Sequence, residues 1–267
     1  MSMTYPGGKG GPGVYQTLIS QMPPHQTYIE THLGGGAILR HKQPAALNIG
    51  IDLDGEALTT VASQIRLQHR HARRGLPANI VTRVAIPAVN GGGAAPPPLV
   101  VEPDNLATYG GVQYEFIQTD CVPWLLSRRW RGNEIVYADP PYLMHTRREG
   151  RKLYTHEYAD ADHVALLSAL RSLPCMVMVS GYWSELYADT LADWRTVTFT
   201  TADRGGNLRT EWAWMNYPAP TTLHDYAFLG KDYRERERIK RKRSRWVRML
   251  AAMPPLERMA IIEELIA

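Results

Sequence analysis

Cysteine is nearly absent. The chain has two in 267 residues, Cys121 and Cys175, and no Cys/His grouping has metal-ligand spacing. A disulfide framework and a structural zinc site are thereby excluded, and no metal is expected. Both cysteines lie in or beside apolar runs, where a free thiol packs as a small hydrophobe. Phenylalanine is scarce as well, three residues against fourteen Tyr and seven Trp, so the rings carry polar handles suited to wet binding surfaces. Long apolar runs are missing. None approaches the roughly 20 residues that span a bilayer, and no signal-peptide core opens the chain. A reducing, cytoplasmic setting with no membrane partner is the expectation.

Charge is modest overall, +4, but unevenly spread. Lys231 to Arg248 carries a net +7, which leaves −3 for the remainder. A local basic patch is the electrostatic footprint of a nucleic-acid binder. Apolar Ile239, Trp246 and Leu250 recur there at near-helical spacing, so the tail reads as a helix. One face can dock on the protein or on a second subunit, which leaves a homodimer open, while the other presents Arg241, Lys242 and Arg243 to a phosphate backbone. A solvated helix that only aids solubility is the plainer alternative.

The chain alternates strand and helix signals. Tyr5-Pro-Gly-Gly-Lys9-Gly begins it but is no phosphate loop: Met3 stands where the earlier glycine belongs, and Gly10 where Ser or Thr belongs. A strand from Thr27 to Leu33 runs into Gly34-Gly35-Gly36. A short helix and a second strand, 46–51, then end in Asp52-Leu-Asp54. Strand, glycine turn, helix, strand and acid form the skeleton of a Rossmann-like cofactor site, with a backbone that can approach its ligand and an acid for ribose hydroxyls. A helix follows to about Arg74. Residues 90–98 are low-complexity, so 61–113 reads as an insertion, either linker or small DNA-reading module. Strands resume at 114–120, ending in Asp120, and at 134–138; a third at 175–182 and a hairpin around Arg204-Gly-Gly-Asn207 close the pattern. The expected fold is an α/β three-layer sandwich. Residues 1–60 and 114–222 would form its core domain and 223–267 a basic helical extension.

The run Glu134 to Ala138 stops at Asp139-Pro140-Pro141-Tyr142, because proline gives no ladder donor. A carboxylate, a stiff corner and a ring are left at a strand's carboxyl end, where open α/β sheets bind ligands. An exocyclic amino group on a nucleobase is a poor nucleophile, since its lone pair is delocalised into the ring. Asp139 accepting one N–H and the Pro140 carbonyl the other would draw that nitrogen towards a tetrahedral shape. Tyr142 would stack on a base lifted from its duplex. The polar loop that follows carries Arg147, Arg148, Arg151 and Lys152, suited to phosphates beside a flipped nucleotide; a solvated surface loop is the alternative.

Taken together these motifs resemble the Dam-like (D12) class of S-adenosylmethionine-dependent DNA adenine-N6 methyltransferases, over most of residues 4–60 and 114–217. The later blocks Ser180-Gly-Tyr-Trp183 and Glu211 to Tyr217, with the basic tail, look like phage and prophage members. The resemblance implies a Rossmann-like class I methyltransferase fold and S-adenosylmethionine as cofactor. It implies cofactor contacts from Tyr5, Gly8, Lys9, Leu33, Gly34, Gly36, Asp52, Asp120 and Asp139, with Asp120 at the adenine. Double-stranded DNA in a bacterial host would be the partner, with a restriction enzyme as a further one left open. Thr31-His32 depart from the family's Pro-Phe. Cytosine-N4 methylation, which usually has Ser in place of Asp139, a protein-glutamine methyltransferase, which has Asn there and would lack the basic tail, and an inactive DNA-binding regulator are the rival readings.

Overall fold

The computed structural model describes residues 8–72, 79–84, 112–147, 154–202 and 207–266. Among the described residues, eight strands form one sheet: β1 (Thr27–Glu30), β2 (Leu47–Asp52), β3 (Asn79–Val84), β4 (Gln113–Gln118), β5 (Glu134–Ala138), β6 (Met176–Gly181), β7 (Arg195–Ala202) and β8 (Leu208–Met215). Their spatial order is β3-β4-β2-β1-β5-β6-β8-β7. Only β8 runs against its neighbours, pairing antiparallel with both β6 and β7.

Alternation along these strands builds two cores. Tyr28, Phe116, Tyr137, Met178 and Met215 face one way, where they meet α1 (Val14–Ile19), α2 (Ala37–His41) and α3 (Gly55–Ala72). Ile29, Ile49, Val136, Val177 and Trp214 face the other way, against α4 (Cys121–Ser127), α5 (Asp160–Ser172) and α6 (Glu185–Thr190). Helices thus cover both faces. The central β1 and β5 are buried at every position; in β5 this shows as the apolar run Ile135 to Ala138 rather than alternation, while β1 buries the polar Thr27 and Glu30 as well. Each large side chain removed from water there stabilises the fold by about 1.5–3 kcal/mol. The edge strand β7 buries only Phe199 fully and leaves alternate threonines exposed, as a one-sided strand should.

Three boundaries differ from the sequence expectation. The stretch taken as inserted from residue 61 gives Val61, Ala62 and Ile65 to the core, and β3 pairs in register along β4 at the sheet's edge. The strand expected over 114–120 ends at Gln118 and α4 starts at Cys121, because the Asp120 carboxylate accepts the Val122 amide at 2.9 Å and caps the helix. The basic tail is two helices, α7 (Tyr233–Ala252) and α8 (Pro255–Ile266), interrupted by the Pro254-Pro255 pair. Asp232 caps α7 by accepting the Glu235 amide. No helix among the described residues is long and apolar enough to cross a membrane.

Candidate active site

Strands β1 and β5 are parallel neighbours, and the chain leaves them in opposite directions across the sheet, β1 to β2 and β5 to β6. The crevice at their carboxyl ends is the topological switch point, where such sheets take ligands. Their register sets Glu30 beside Tyr137, so both strands give out at one level. Beyond β1 the backbone turns through Gly34 and Gly36, both left-handed with φ of 45° and 57°. The Gly36 amide closes the turn on the Leu33 carbonyl at 2.7 Å. A Cβ on Gly36 would lie 2.7 Å from Val61 Cγ1, so the turn is closed to side chains. At the end of β2, Asp52 accepts the Gly34 amide at 2.7 Å on one oxygen and the Asp54 amide at 2.9 Å on the other. Burial raises the Asp52 carboxyl, and these two amides pull it back. Each of its oxygens keeps a second lone pair for a hydroxyl donor.

Across the crevice stands Asp139. The Lys9 ammonium donates to its two oxygens at 2.6 and 2.7 Å, and the Ser180 hydroxyl donates to one at 2.8 Å. Burial pushes the Asp139 carboxyl up while Lys9 draws it down. Burial alone would lower the Lys9 ammonium, but Asp139 and then Glu211 more than offset this and hold it well above its ordinary value. The two short N–H···O contacts favour the charged form of the pair. Lys9 also donates to the Tyr142 hydroxyl at 3.2 Å, and that hydroxyl donates to Glu211 at 2.9 Å. Glu211 is a buried carboxylate on β8 that also accepts from Thr201 at 2.8 Å. In the linear sequence it only opens the block Glu211 to Tyr217, one charge at the head of an aromatic strand with no role attached.

The pocket between these groups is lined by expected residues: Gly8, Lys9 and Asp139 with Pro140 and Pro141 on one side, Leu33, Gly34, Gly36 and Asp52 on the other. Its cover was not legible in the sequence. Tyr154, His156 and Tyr158 line the pocket too, tied down by Glu157, which accepts the Tyr154 amide at 2.9 Å and pairs with Arg147 at 2.6 Å. Tyr158 Oη meets His32 Nε2 at 2.9 Å, with the buried Cys121 thiol 3.8 Å from that nitrogen. Burial, with His163 nearby, lowers His32 to about 3, so this wall is neutral. His32 thus sets an imidazole edge against Tyr158 at a site where a Phe would give only apolar contact.

Several expected roles are corrected. Asp120 is exposed and turned to the α4 N-terminus, while its neighbours Thr119 and Cys121 line the pocket. Arg147 is buried, with Nε donating to the Tyr142 carbonyl at 2.7 Å, so it braces the Asp-Pro-Pro-Tyr corner rather than facing a phosphate. Tyr142 is not an open platform, because Tyr182 lies over one face with ring centroids 4.2 Å apart. Arg241, Lys242 and Arg243 are exposed on α7, and Arg243 donates to the Tyr226 carbonyl at 3.3 Å. Tyr5, Arg148, Arg151 and Lys152 lie outside the described residues.

A mostly parallel sheet with a reversed penultimate strand, helices on both faces and a glycine-turn pocket at the switch point define a Rossmann-like, class I methyltransferase fold. No protein-family model matches the chain, and no curated protein matches it. Among solved structures the chain is similar to the 23S rRNA methyltransferase ErmE, at 9% identity and TM-score 0.44 over 84% of this chain and 74% of that one. It is also similar to a dimethyladenosine transferase from Plasmodium falciparum, at 10% identity and TM-score 0.40 over 77% and 61%. A third is an rRNA methylase from Streptococcus thermophilus, at 9% identity and TM-score 0.40 over 75% and 93%. The sheet order alone defines the class, since likenesses this distant add nothing to it.

Proposed function

We propose that the chain is an S-adenosylmethionine-dependent methyltransferase of the Dam-like kind, acting on N6 of an adenine flipped out of double-stranded DNA. The observation that carries this reading is Asp139, a half-buried carboxylate at the carboxyl end of β5, followed by Pro140 and facing the glycine-turn pocket. The pocket suits the cofactor. Its backbone is bare at Gly34 and Gly36, Asp52 has acceptor capacity for ribose hydroxyls, and no phosphate-binding loop is needed for a ligand without phosphate.

When bound, S-adenosylmethionine supplies an electrophilic methyl group whose bond to sulfur breaks, with its electron pair, as the amino nitrogen bonds to the carbon. Asp139 accepts one N–H of that amino group, the Pro140 carbonyl accepts the other, and the surplus proton leaves through the carboxylate. Pro140 and Pro141 fix the corner on which these acceptors stand. Tyr142 offers its ring to the base, which takes the face opposite Tyr182 or displaces it. The exposed cations of α7 supply a sequence-independent grip on phosphates.

Labelled cofactor offered with double-stranded DNA, single-stranded DNA and RNA, followed by nucleoside analysis, tests the reading. N6-methyladenine in duplex DNA, lost in Asp139→Ala, is the expected product. N4-methylcytosine, labelling of RNA alone, or an active Asp139→Ala protein would overturn it.

A further inference from the structure

Both oxygens of Asp139 are already held by Lys9, at 2.6 and 2.7 Å, and a second donor, Ser180, takes one of them at 2.8 Å. Oδ1 is filled by these two donors, so an amino N–H approaching the carboxylate competes with the ammonium for Oδ2, and a buried cation that gives way needs another anion. Glu211 meets the need. Its Oε1 is fixed by two donors, Tyr142 at 2.9 Å and Thr201 at 2.8 Å, so the carboxylate cannot turn away. Its Oε2 is buried, has no hydrogen-bond partner among the described residues, and lies 3.2 Å from Lys9 Nζ. An acceptor left open at ion-pair distance is a seat for the cation.

We infer that Glu211 is a positioning residue that receives the Lys9 ammonium when Asp139 engages an amino substrate, an inference that rests on the methyl-transfer reading of the site. A small swing of the lysine then frees Asp139 without leaving any charge unpaired. The Tyr142 hydroxyl, shared by Lys9 and Glu211, keeps the ring aligned during the exchange. Register explains how Glu211 reaches the site: β8 pairs antiparallel with β6 through Gly181 and Trp212, so Glu211, the residue before Trp212, lies just past the end of β6, level with Tyr182.

Glu211→Gln keeps the volume and an oxygen for Tyr142 and Thr201 but removes the charge. Turnover should fall roughly tenfold or more with S-adenosylhomocysteine affinity unchanged, and should recover towards alkaline pH, where a lysine deprived of one anion deprotonates and releases Asp139. Unchanged kcat, or a loss independent of pH, would overturn the inference. If the variant does not fold, the wild-type complex with S-adenosylhomocysteine and adenine-containing DNA decides: Lys9 nearer Glu211 than Asp139 supports the exchange, and a retained Lys9–Asp139 contact refutes it. A substrate-free arm separates this from failure of the function. Reductive methylation of Lys9, read by mass spectrometry, should rise severalfold in Glu211→Gln. Unchanged labelling sinks the role of Glu211 even where the wild type methylates DNA. Raised labelling in a protein that transfers no methyl to DNA sinks the function instead.

Discussion

Lys9 and Asp139, 130 residues apart in sequence, meet as a half-buried ion pair with the ammonium donating to both carboxylate oxygens. Glu211 stands on the far side of the same cation at 3.2 Å. One positive charge thus serves two carboxylates, and removing it leaves both without that cation. Lys9→Met should cost about 3–5 kcal/mol, because it leaves Glu211 buried without its cation. The loss should shrink at low pH, where Asp139 takes up a proton. Chemical denaturation at pH 8 and pH 5 measures both effects; an equal loss at the two values would mean that the carboxylates do not depend on Lys9.

Gly36 is closed to side chains on two independent grounds, its φ of 57° and the 2.7 Å at which a Cβ there would meet Val61 Cγ1. Left-handed backbone costs an ordinary residue about 1–2 kcal/mol, and the clash adds to that. Gly36→Ala should therefore destabilise the protein and weaken cofactor binding together. Adding Val61→Ala should relieve the clash but not the backbone strain. Calorimetric titration and thermal melts on the single and double variants would reveal a full recovery, which the backbone strain forbids.

Glu30 is a buried carboxyl whose pKa burial raises from 4.5 to about 8, although the Tyr28 hydroxyl at 2.9 Å and the Leu39 amide at 3.0 Å favour its charged form. Between those values the folded chain holds more protons than the unfolded one, so this group makes stability fall as pH rises through the window and level off above it. Each unit of pH inside the window is worth at most about 1.4 kcal/mol. Glu30→Gln should flatten that part of the Tm-against-pH curve, and a parallel curve displaced at every pH would refute the assignment.

Helix α7 exposes Arg241, Lys242 and Arg243. Neutralising all three should weaken binding to every DNA sequence alike. The plot of log affinity against log salt should flatten by about 0.9 for each phosphate no longer neutralised, without moving the methylated adenine. An unchanged slope would mean that α7 does not touch DNA, and a shifted target would mean that it reads bases.

The sequence carried the central strands and the glycine turn because both are local properties, whereas β3 lay hidden in the stretch read as an insertion. An unbroken apolar run such as Ile135 to Ala138 can only be buried on both faces, and Gly34 and Gly36 mark backbone that other residues resist. Asp52 and Asp139 were legible for the same reason, as acids where runs stop. Asp120 looked alike and differs, since a nearby helix start competes for its carboxylate and wins. Arg147 carried the charge of a phosphate ligand, yet the loop folds it under Tyr142 against Glu157.

What the sequence alone determined is therefore the order of the central elements, the strand ends that face a ligand and most of the residues that edge them. What only the tertiary structure decided is which charges share that crevice. Lys9, Asp139, Tyr142 and Glu211 converge because β8 inserts antiparallel beside β6, and the pairing of distant strands depends on the whole sheet closing over its two cores rather than on any local run.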